Sequence, residues 1–254
     1  MALTDYEVAP AAKRTLTVFL LCDTSGSMSG EKLAALNDGM RNALPIIREI
    51  GANNADAEIK LTVLRFDDQV RWLNEGPMPA ESLEWTDLTS GGSTCMGAAC
   101  LELNKKLSHR HGFLKSASAC FAPVCIMLSD GAPTDNFKAG ISALKENNWF
   151  AHATKIALAI GNDADTKVLA EFTGSIEMVF KVHNIEALRT CIKALVVTST
   201  MINSQSSTTT RVDGGTQTKA EQTAEALHQE LEGVAGIDVA QRAVAVTIDP
   251  DEFD

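Results

Sequence analysis

The stretch that decides the fold is Leu16–Ser27, with the sequence LTVFLLCDTSGS. Its first seven residues are nearly all apolar, and an apolar run of this length is typical of a buried strand. The polar residues Asp23, Ser25 and Ser27 follow at alternate positions, and a long helical pattern begins after Gly30. Ligands of open α/β sheets bind in loops at the carboxyl ends of the strands. The stretch therefore predicts a first strand whose following loop could hold a ligand.

Strand and helix patterns alternate as far as residue 201, which predicts an α/β fold with a doubly wound, mainly parallel sheet. Glu58–Phe66 alternates apolar and charged residues, and with Gln69–Leu73 it is predicted to form a hairpin that adds one antiparallel edge strand. Pro123–Ser129 is the most apolar run and is expected to be a central strand covered on both faces. The other predicted strands are Thr154–Ile160 and Met178–Val182, and the predicted helices are Lys32–Ile47, Met96–Leu107, Phe137–Asn147, Thr166–Phe172 and Ile185–Met201.

The length of 254 residues allows one large α/β domain and an appendage. Composition changes after Ser204, where Ser, Thr, Gly and Gln dominate as in a flexible linker. We expect a separate docking segment beyond it, with a helix at Ala220–Glu232 and a strand at Ala243–Ile248 that adds to the edge of a sheet, either a partner's or this domain's own Gln69–Leu73. The predicted divisions are a lead-in (1–14), the main domain (15–203), the linker (204–219) and the docking segment with an acidic tail (220–254).

Charge and hydropathy narrow the classes of partner. The net charge of −11 argues against nucleic acid or an anionic membrane as the main partner. No run approaches the roughly 20 apolar residues that span a bilayer. Lys13 and Arg14 precede an apolar segment, but no small-residue cleavage site follows it, so we expect a cytoplasmic protein. The six cysteines are expected to be free and buried, with an activated thiol at Cys95 as the weaker alternative.

Three predicted loops carry oxygen-bearing side chains that could meet. The first holds Asp23, Ser25 and Ser27; the second holds Thr94 after two glycines; the third holds Asp130 at the end of the most apolar strand. If these strands are neighbours in a parallel sheet, the five side chains surround one point at its ligand edge. Oxygen ligands of this kind suit magnesium, manganese or calcium rather than zinc or copper.

This pattern resembles the metal-ion-dependent adhesion site of von Willebrand factor A domains. The resemblance rests on Asp23-x-Ser25-x-Ser27, on Gly91–Thr94 and on Ser129-Asp130-Gly131, and it extends from about residue 16 to 201. A narrower resemblance, to the bacterial TerY-like proteins of tellurium-resistance and stress operons, is carried by Leu21–Met28 and Ala159–Asp165. The extension after Ser204 lies outside the resemblance.

The resemblance implies a role for each residue. Ser25, Ser27 and Thr94 would touch one divalent cation directly, while Asp23 and Asp130 would hold it largely through water. The expected ion is Mg²⁺, with Mn²⁺ or Ca²⁺ as alternatives. An ion with few direct carboxylates keeps much of its charge, so it would attract an Asp or Glu of a protein partner. An operon-encoded kinase and phosphatase are further implied partners.

Residues outside this metal set are predicted to contact the partner. Gly92, Ser93 and Asp163 are expected around the ion. In the acidic tail, Asp251, Glu252 or Asp254 could supply the outside carboxylate, in the same chain or in a neighbouring copy; the alternative is a tail that is merely solvated.

These expectations favour a metal-dependent protein–protein interaction module that is not an enzyme. A metal-dependent phosphoryl-transfer enzyme is the first alternative, but haloacid-dehalogenase phosphatases have Asp-x-Asp in the first loop, whereas position 25 is Ser. The second carboxylate that would serve as acid or base is thus missing. The other alternative is an adaptor of an AAA+ ATPase, which would still be a binding role.

Overall fold

The computed structural model describes residues 12–130, 132–162, 164–205, 210–212 and 215–239. Its strands are β1 (Arg14–Asp23), β2 (Ala57–Phe66), β3 (Val70–Trp72), β4 (Met78–Pro79), β5 (Val124–Ser129), β6 (Thr154–Ile160), β7 (Val179–Val182), β8 (Thr210–Val212), β9 (Gly215–Gln217) and β10 (Ile237–Val239). Its α-helices are α1 (Glu31–Asn53), α2 (Met96–Lys106), α3 (Phe137–Lys145), α4 (Asn148–His152), α5 (Thr166–Thr173), α6 (Ile185–Asn203) and α7 (Lys219–Leu231).

The main sheet has eight strands in the order β10-β7-β6-β5-β1-β2-β3, with β4 also paired to β2. Strands β1, β2, β5, β6 and β7 are parallel, and β3 and β4 run antiparallel to β2 at one edge. The predicted doubly wound, mainly parallel sheet with an antiparallel edge strand is therefore confirmed. The short strand β10 adds an antiparallel strand at the opposite edge, beside β7, which the sequence did not predict.

Alternation along β1 explains why helices cover both faces of the sheet. Successive side chains of a strand point to opposite faces. Leu16 and Val18 belong to a core cluster that also holds the buried faces of α1, α6 and α7. Phe19 and Leu21 belong to a second cluster, shared with α2, α3, α4 and α5. The chain can bury both faces because β1 and β5 are apolar almost throughout.

The C-terminal extension differs from the predicted separate docking segment. Helix α7 packs against α6, and its Leu227 and Leu231 are buried in the same core cluster as the central strands. Glu230 accepts a 2.6 Å hydrogen bond from the Thr198 hydroxyl of α6. A 13-residue helix is marginal alone in water, so its apolar stripe is better buried on the domain than exposed on a tether.

Within the predicted linker, β8 and β9 pair as an antiparallel two-stranded sheet. The predicted strand Ala243–Ile248 and the acidic tail lie outside the described residues. In the described ranges, no helix combines the length and the apolar character needed to cross a lipid bilayer.

Candidate metal centre

Three strand ends meet at one edge of the sheet. Asp23 is the last residue of β1 and pairs in register with Phe66, the last residue of β2, while Cys22 pairs with Leu128 near the end of β5. Asp130 directly follows β5. The parallel order β5-β1-β2 therefore brings the first and third predicted loops side by side, as the strand patterns implied.

The first loop is closed by its own carboxylate. Asp23 is 0 % exposed. One of its oxygens accepts a 2.8 Å hydrogen bond from the Ser25 backbone N–H, and the other accepts a 2.5 Å bond from the Ser129 hydroxyl. These bonds hold Asp23 in place and curl the loop so that Ser25 and Ser27 fall on one side.

The two serine hydroxyls lead on to the third loop. Ser25 Oγ and Ser27 Oγ lie 3.0 Å apart, and Ser27 Oγ donates a 2.7 Å hydrogen bond to Asp130 Oδ1. The other oxygen of Asp130 pairs with the ammonium of Lys32, in the first turn of α1. Four of the five predicted ligands, Asp23, Ser25, Ser27 and Asp130, thus lie in one hydrogen-bonded cluster that also contains a positive charge.

The second loop is tied by its backbone to the first. Gly91 N–H donates to the Thr24 carbonyl at 2.8 Å, and Gly26 N–H donates to the Gly92 carbonyl at 3.0 Å. Gly92 has a φ of 76°, and a Cβ there would lie 2.7 Å from Asp68 Oδ1, so the position requires glycine. The predicted partner-contact residue Gly92 therefore has a structural task in joining the loops.

Thr94 follows in this anchored loop. Its backbone N–H donates to the Thr134 hydroxyl at 3.0 Å, and its carbonyl accepts from the Thr134 N–H at 2.9 Å. The residue is 5 % exposed, yet no hydrogen bond among the described residues engages its own hydroxyl. This hydroxyl is available for a ligand because the loop's backbone, rather than the side chain, fixes its position.

Asp67, at the end of β2, is a site residue that the sequence patterns placed only in a turn. Its carboxylate accepts hydrogen bonds from the Thr24 hydroxyl at 3.0 Å and from the Gln69 N–H at 2.8 Å, and its carbonyl accepts from the Cys95 N–H at 2.9 Å. Asp67 therefore braces the first and second loops together. The available signal was its position, since it is a carboxylate at the end of a strand neighbouring β1.

Burial and hydrogen bonding shift the pKa values of these carboxyl groups in opposite directions. Burial raises the pKa of Asp23, and the nearby Asp130 charge adds to this, while hydrogen bonds from Ser129 and Ser25 act in the other direction. Burial would also raise the pKa of Asp67, but the hydrogen bonds it accepts and the nearby Arg65 outweigh burial and hold this pKa below its usual value. Burial raises the pKa of the Cys22 thiol to about 12, so this neighbour stays neutral.

The donor set fits a hard divalent cation. It consists of two carboxylates and the hydroxyls of Ser25, Ser27 and Thr94, all oxygen ligands of the kind that magnesium and calcium take. The Lys32 ammonium on Asp130 shows that the cluster already attracts positive charge. Among the residues that the structure describes, no group of three or more His, Cys, Asp or Glu side chains could hold a metal ion. A metal site there thus depends on the hydroxyl groups.

The remaining predicted residues fall near the site or outside the described chain. Ser93 is exposed in the second loop, with its hydroxyl 3.8 Å from the Cys95 sulfur. Asp163, Asp251, Glu252 and Asp254 lie outside the described residues. All six cysteines are free and five of them are buried, as expected, with Cys95 partly exposed.

Several solved structures have a fold similar to that of this chain. The chain is similar to a von Willebrand factor type A protein from Catenulispora acidiphila (15% identity, TM-score 0.55), covering 74% of this chain and 43% of that one. It is also similar to the pilus adhesin SpaC from Lactobacillus rhamnosus GG (13%, TM-score 0.58; 75% and 31% covered) and to proximal thread matrix protein 1 from the mussel byssus, described with a zinc-occupied MIDAS motif (18%, TM-score 0.56; 73% and 48% covered). No family model and no curated protein matches the chain.

The fold is that of a von Willebrand factor A domain. The chain spans less than half the length of each of these three proteins, so it corresponds to part of them. At identities of 13 to 18% the similarity defines the fold and leaves the function to be argued from the site.

Proposed function

We propose that this protein is a metal-dependent protein–protein interaction module that binds one divalent cation, with Mg²⁺ as the ion in the cell. Asp23, Ser25, Ser27, Thr94 and Asp130 would hold it. The observation that carries the proposal is the continuous cluster in which the Ser25 and Ser27 hydroxyls lead to Asp130 across two strand ends. The von Willebrand factor A fold, and the zinc-occupied site described for one similar protein, support a divalent metal at this position.

The proposed ligand is an Asp or Glu side chain of a partner protein. Asp23 and Asp130 are both buried, whereas Ser27 and Ser93 are exposed at the rim, so an outside group would approach from their side. With Asp23 and Asp130 holding the cation largely through water, its direct ligands would be neutral hydroxyls, and the cation would keep much of its positive charge. An Asp or Glu side chain of the partner would complete the coordination of the cation with a negatively charged oxygen.

We further propose a cytoplasmic, TerY-like role in a bacterial stress-response or tellurium-resistance system, together with a kinase and a phosphatase. The support is the pair of sequence motifs Leu21–Met28 and Ala159–Asp165. Affinity purification from the native cell, with and without a chelator, tests this proposal. The kinase or phosphatase should be recovered only while the divalent ion is present.

No catalytic role is proposed. Both oxygens of Asp23 accept hydrogen bonds from the chain itself, and Ser25 stands where a phosphoryl-transfer enzyme would place its second carboxylate. Hydrolysis of a generic phosphate ester with Mg²⁺ provides the test. Turnover by the purified chain that is lost in Asp23→Ala would replace the binding module with the phosphoryl-transfer alternative.

The metal site itself is tested by calorimetry with Mg²⁺. Asp130→Ala should weaken Mg²⁺ binding about 10- to 100-fold, the usual effect of removing a group that supports a metal through water or a neighbouring ligand. Asp87→Ala is the matched control, because it removes the same charge at an exposed position paired with Arg41. Circular dichroism should show an intact fold in both variants, since loop residues contribute little to the core. Equal Mg²⁺ affinity in wild type and Asp130→Ala would exclude the proposed site.

A further inference from the structure

Lys32 is placed where a helix does not favour a cation. It lies in the first turn of α1, at the positive end of the helix dipole, and the N-cap position before it is Gly30, which makes no side-chain cap. Asp130 offsets this unfavourable position, because the Lys32 ammonium contacts Asp130 Oδ2. The Asp130 side chain is 1 % exposed and that of Lys32 is 29 % exposed, so the ion pair is shielded on the carboxylate side only.

This ion pair completes the set of partners of Asp130. Ser27 donates to Oδ1 and Lys32 to Oδ2, so both carboxylate oxygens are engaged by the chain's own donors. A divalent ion held by Asp130 would therefore compete with the Lys32 ammonium for negative charge. The two cations would also repel each other, because they would share one small cluster.

An open crevice adjoins Lys32. It has a volume of about 520 Å³ and lies among the carboxyl ends of β6 and β7 and the first turns of α1 and α6. Ile160, Val182 and Leu188 line its apolar part, and its polar part is lined by Ser29, Glu31, Lys32, His183 and Asn184. Lysine is a flexible four-carbon stem with a mobile ammonium, so it can turn from Asp130 into this space.

We propose that Lys32 is an exchangeable cation: it leaves Asp130 when a divalent ion binds, and its ammonium then holds a second carboxylate of the partner in the adjoining crevice. This inference rests on the proposed function and narrows its ligand. The partner segment carries two acidic side chains, one for the metal and one for Lys32. Its backbone runs from the serine loop towards the ends of β6 and β7.

The first test measures Mg²⁺ affinity by calorimetry. Lys32→Met should bind Mg²⁺ about tenfold more tightly than wild type, the order expected when one positive charge is removed a few ångströms from a divalent ion. Lys32→Arg keeps the charge and should stay within about twofold of wild type on the same electrostatic grounds. Lys138→Met is the matched control, because it removes an equal charge from an exposed ion pair with Glu171.

The second test uses acetylated and amidated synthetic peptides at saturating Mg²⁺. One peptide carries a single glutamate, and the others carry a second glutamate one to four residues away. Wild type should bind the best two-glutamate peptide about tenfold more tightly than the single-glutamate peptide, as expected for a second carboxylate that gains its own cation. Lys32→Met should lose this preference, and Lys32→Arg should retain it.

The outcomes separate this inference from the proposed function. If the wild-type protein binds no divalent ion, both the proposed function and the exchange of Lys32 are refuted. Normal Mg²⁺ binding in wild type, with no gain of affinity in Lys32→Met, would overturn only the exchange of Lys32. A preference for two glutamates that persists in Lys32→Met would overturn the second carboxylate site.

Discussion

Truncation of Leu227 tests whether the C-terminal helix belongs to the folded domain. Leu227 lies on α7 and is 0 % exposed, in the core cluster shared with α1, α6 and the central strands. Two contacts anchor its helix at this position: the neighbouring His228 bonds the Glu177 carbonyl at 2.8 Å, and its ring packs edge-on against Phe180 at 5.6 Å. Leu227→Ala would therefore open a cavity beneath a helix that is held in place.

Leu→Ala changes in protein cores cost about 2–5 kcal/mol, depending on how far the surroundings collapse into the cavity. Because two contacts hold α7 in place, the surroundings should collapse into the cavity only in part, and we expect a loss of about 3–4 kcal/mol in the free energy of unfolding. Leu101→Ala is the matched control, since Leu101 is 42 % exposed on α2 and leucine and alanine are both good helix formers. It should change stability by less than about 0.5 kcal/mol.

Urea titration followed by circular dichroism and tryptophan fluorescence measures both variants. Wild type should unfold in one transition in which the two probes coincide, and Leu227→Ala should lower the midpoint of that same transition. A loss below about 1 kcal/mol in Leu227→Ala would refute the integrated core. A separate early loss of helix with unchanged fluorescence would refute it as well, and would restore the tethered docking segment expected from composition.

Three further predictions concern packing and pH. Gly140→Ala should cost about 1–3 kcal/mol or more, because a Cβ there would lie 2.3 Å from the Gly97 carbonyl oxygen and would push α3 away from α2; an unchanged melting temperature would contradict that close approach. Asp67→Asn should lose about 1–2 kcal/mol at pH 7; because the folded pKa of Asp67 is lowered, its stabilisation is present above the unfolded pKa and disappears as pH falls through the folded value, so the two urea midpoints should converge in acid. Burial, with the nearby Arg14 charge, lowers the pKa of Lys219 from 10.5 to about 8, so the unfolded chain binds the extra proton between these values and wild-type stability should gain from rising pH there; urea midpoints at pH 7.5 and 10 should show that this gain is missing in Lys219→Met, and an equal pH response would exclude it.

The sequence by itself determined the parallel sheet and the place of its ligand edge. The apolar runs of β1 and β5, each followed at once by Asp23 or Asp130, identify strand ends that a parallel sheet must align. In α1, apolar residues recur at steps of three and four and are all buried: Leu33, Leu36, Met40, Leu44 and Ile47. These features are local in sequence, because strand and helix periods are set by backbone geometry alone.

One helix boundary depends on contacts between residues that are far apart in the chain. The predicted helix Phe137–Asn147 ends at Lys145 in the structure, and Asn147 precedes a further helix, α4, that was not predicted. Its side chain caps α4 and also donates to the carbonyls of Asn104 and Leu107. The start of α4 therefore depends on contacts with residues 104 and 107, about 40 positions earlier in the chain.

Tertiary structure alone decided how the loops and the C-terminal extension are connected. Asp67 braces Thr24 across 43 residues of sequence, and Lys32 reaches Asp130 across 98. The three-residue strand β10 carries too short a pattern to predict, and it forms because β7 offers an open edge. Likewise, α7 has an apolar stripe suited to either a partner or the domain itself. The choice depends on what lies within reach once the sheet has formed, because burial of apolar surface is non-directional and takes the nearest face available.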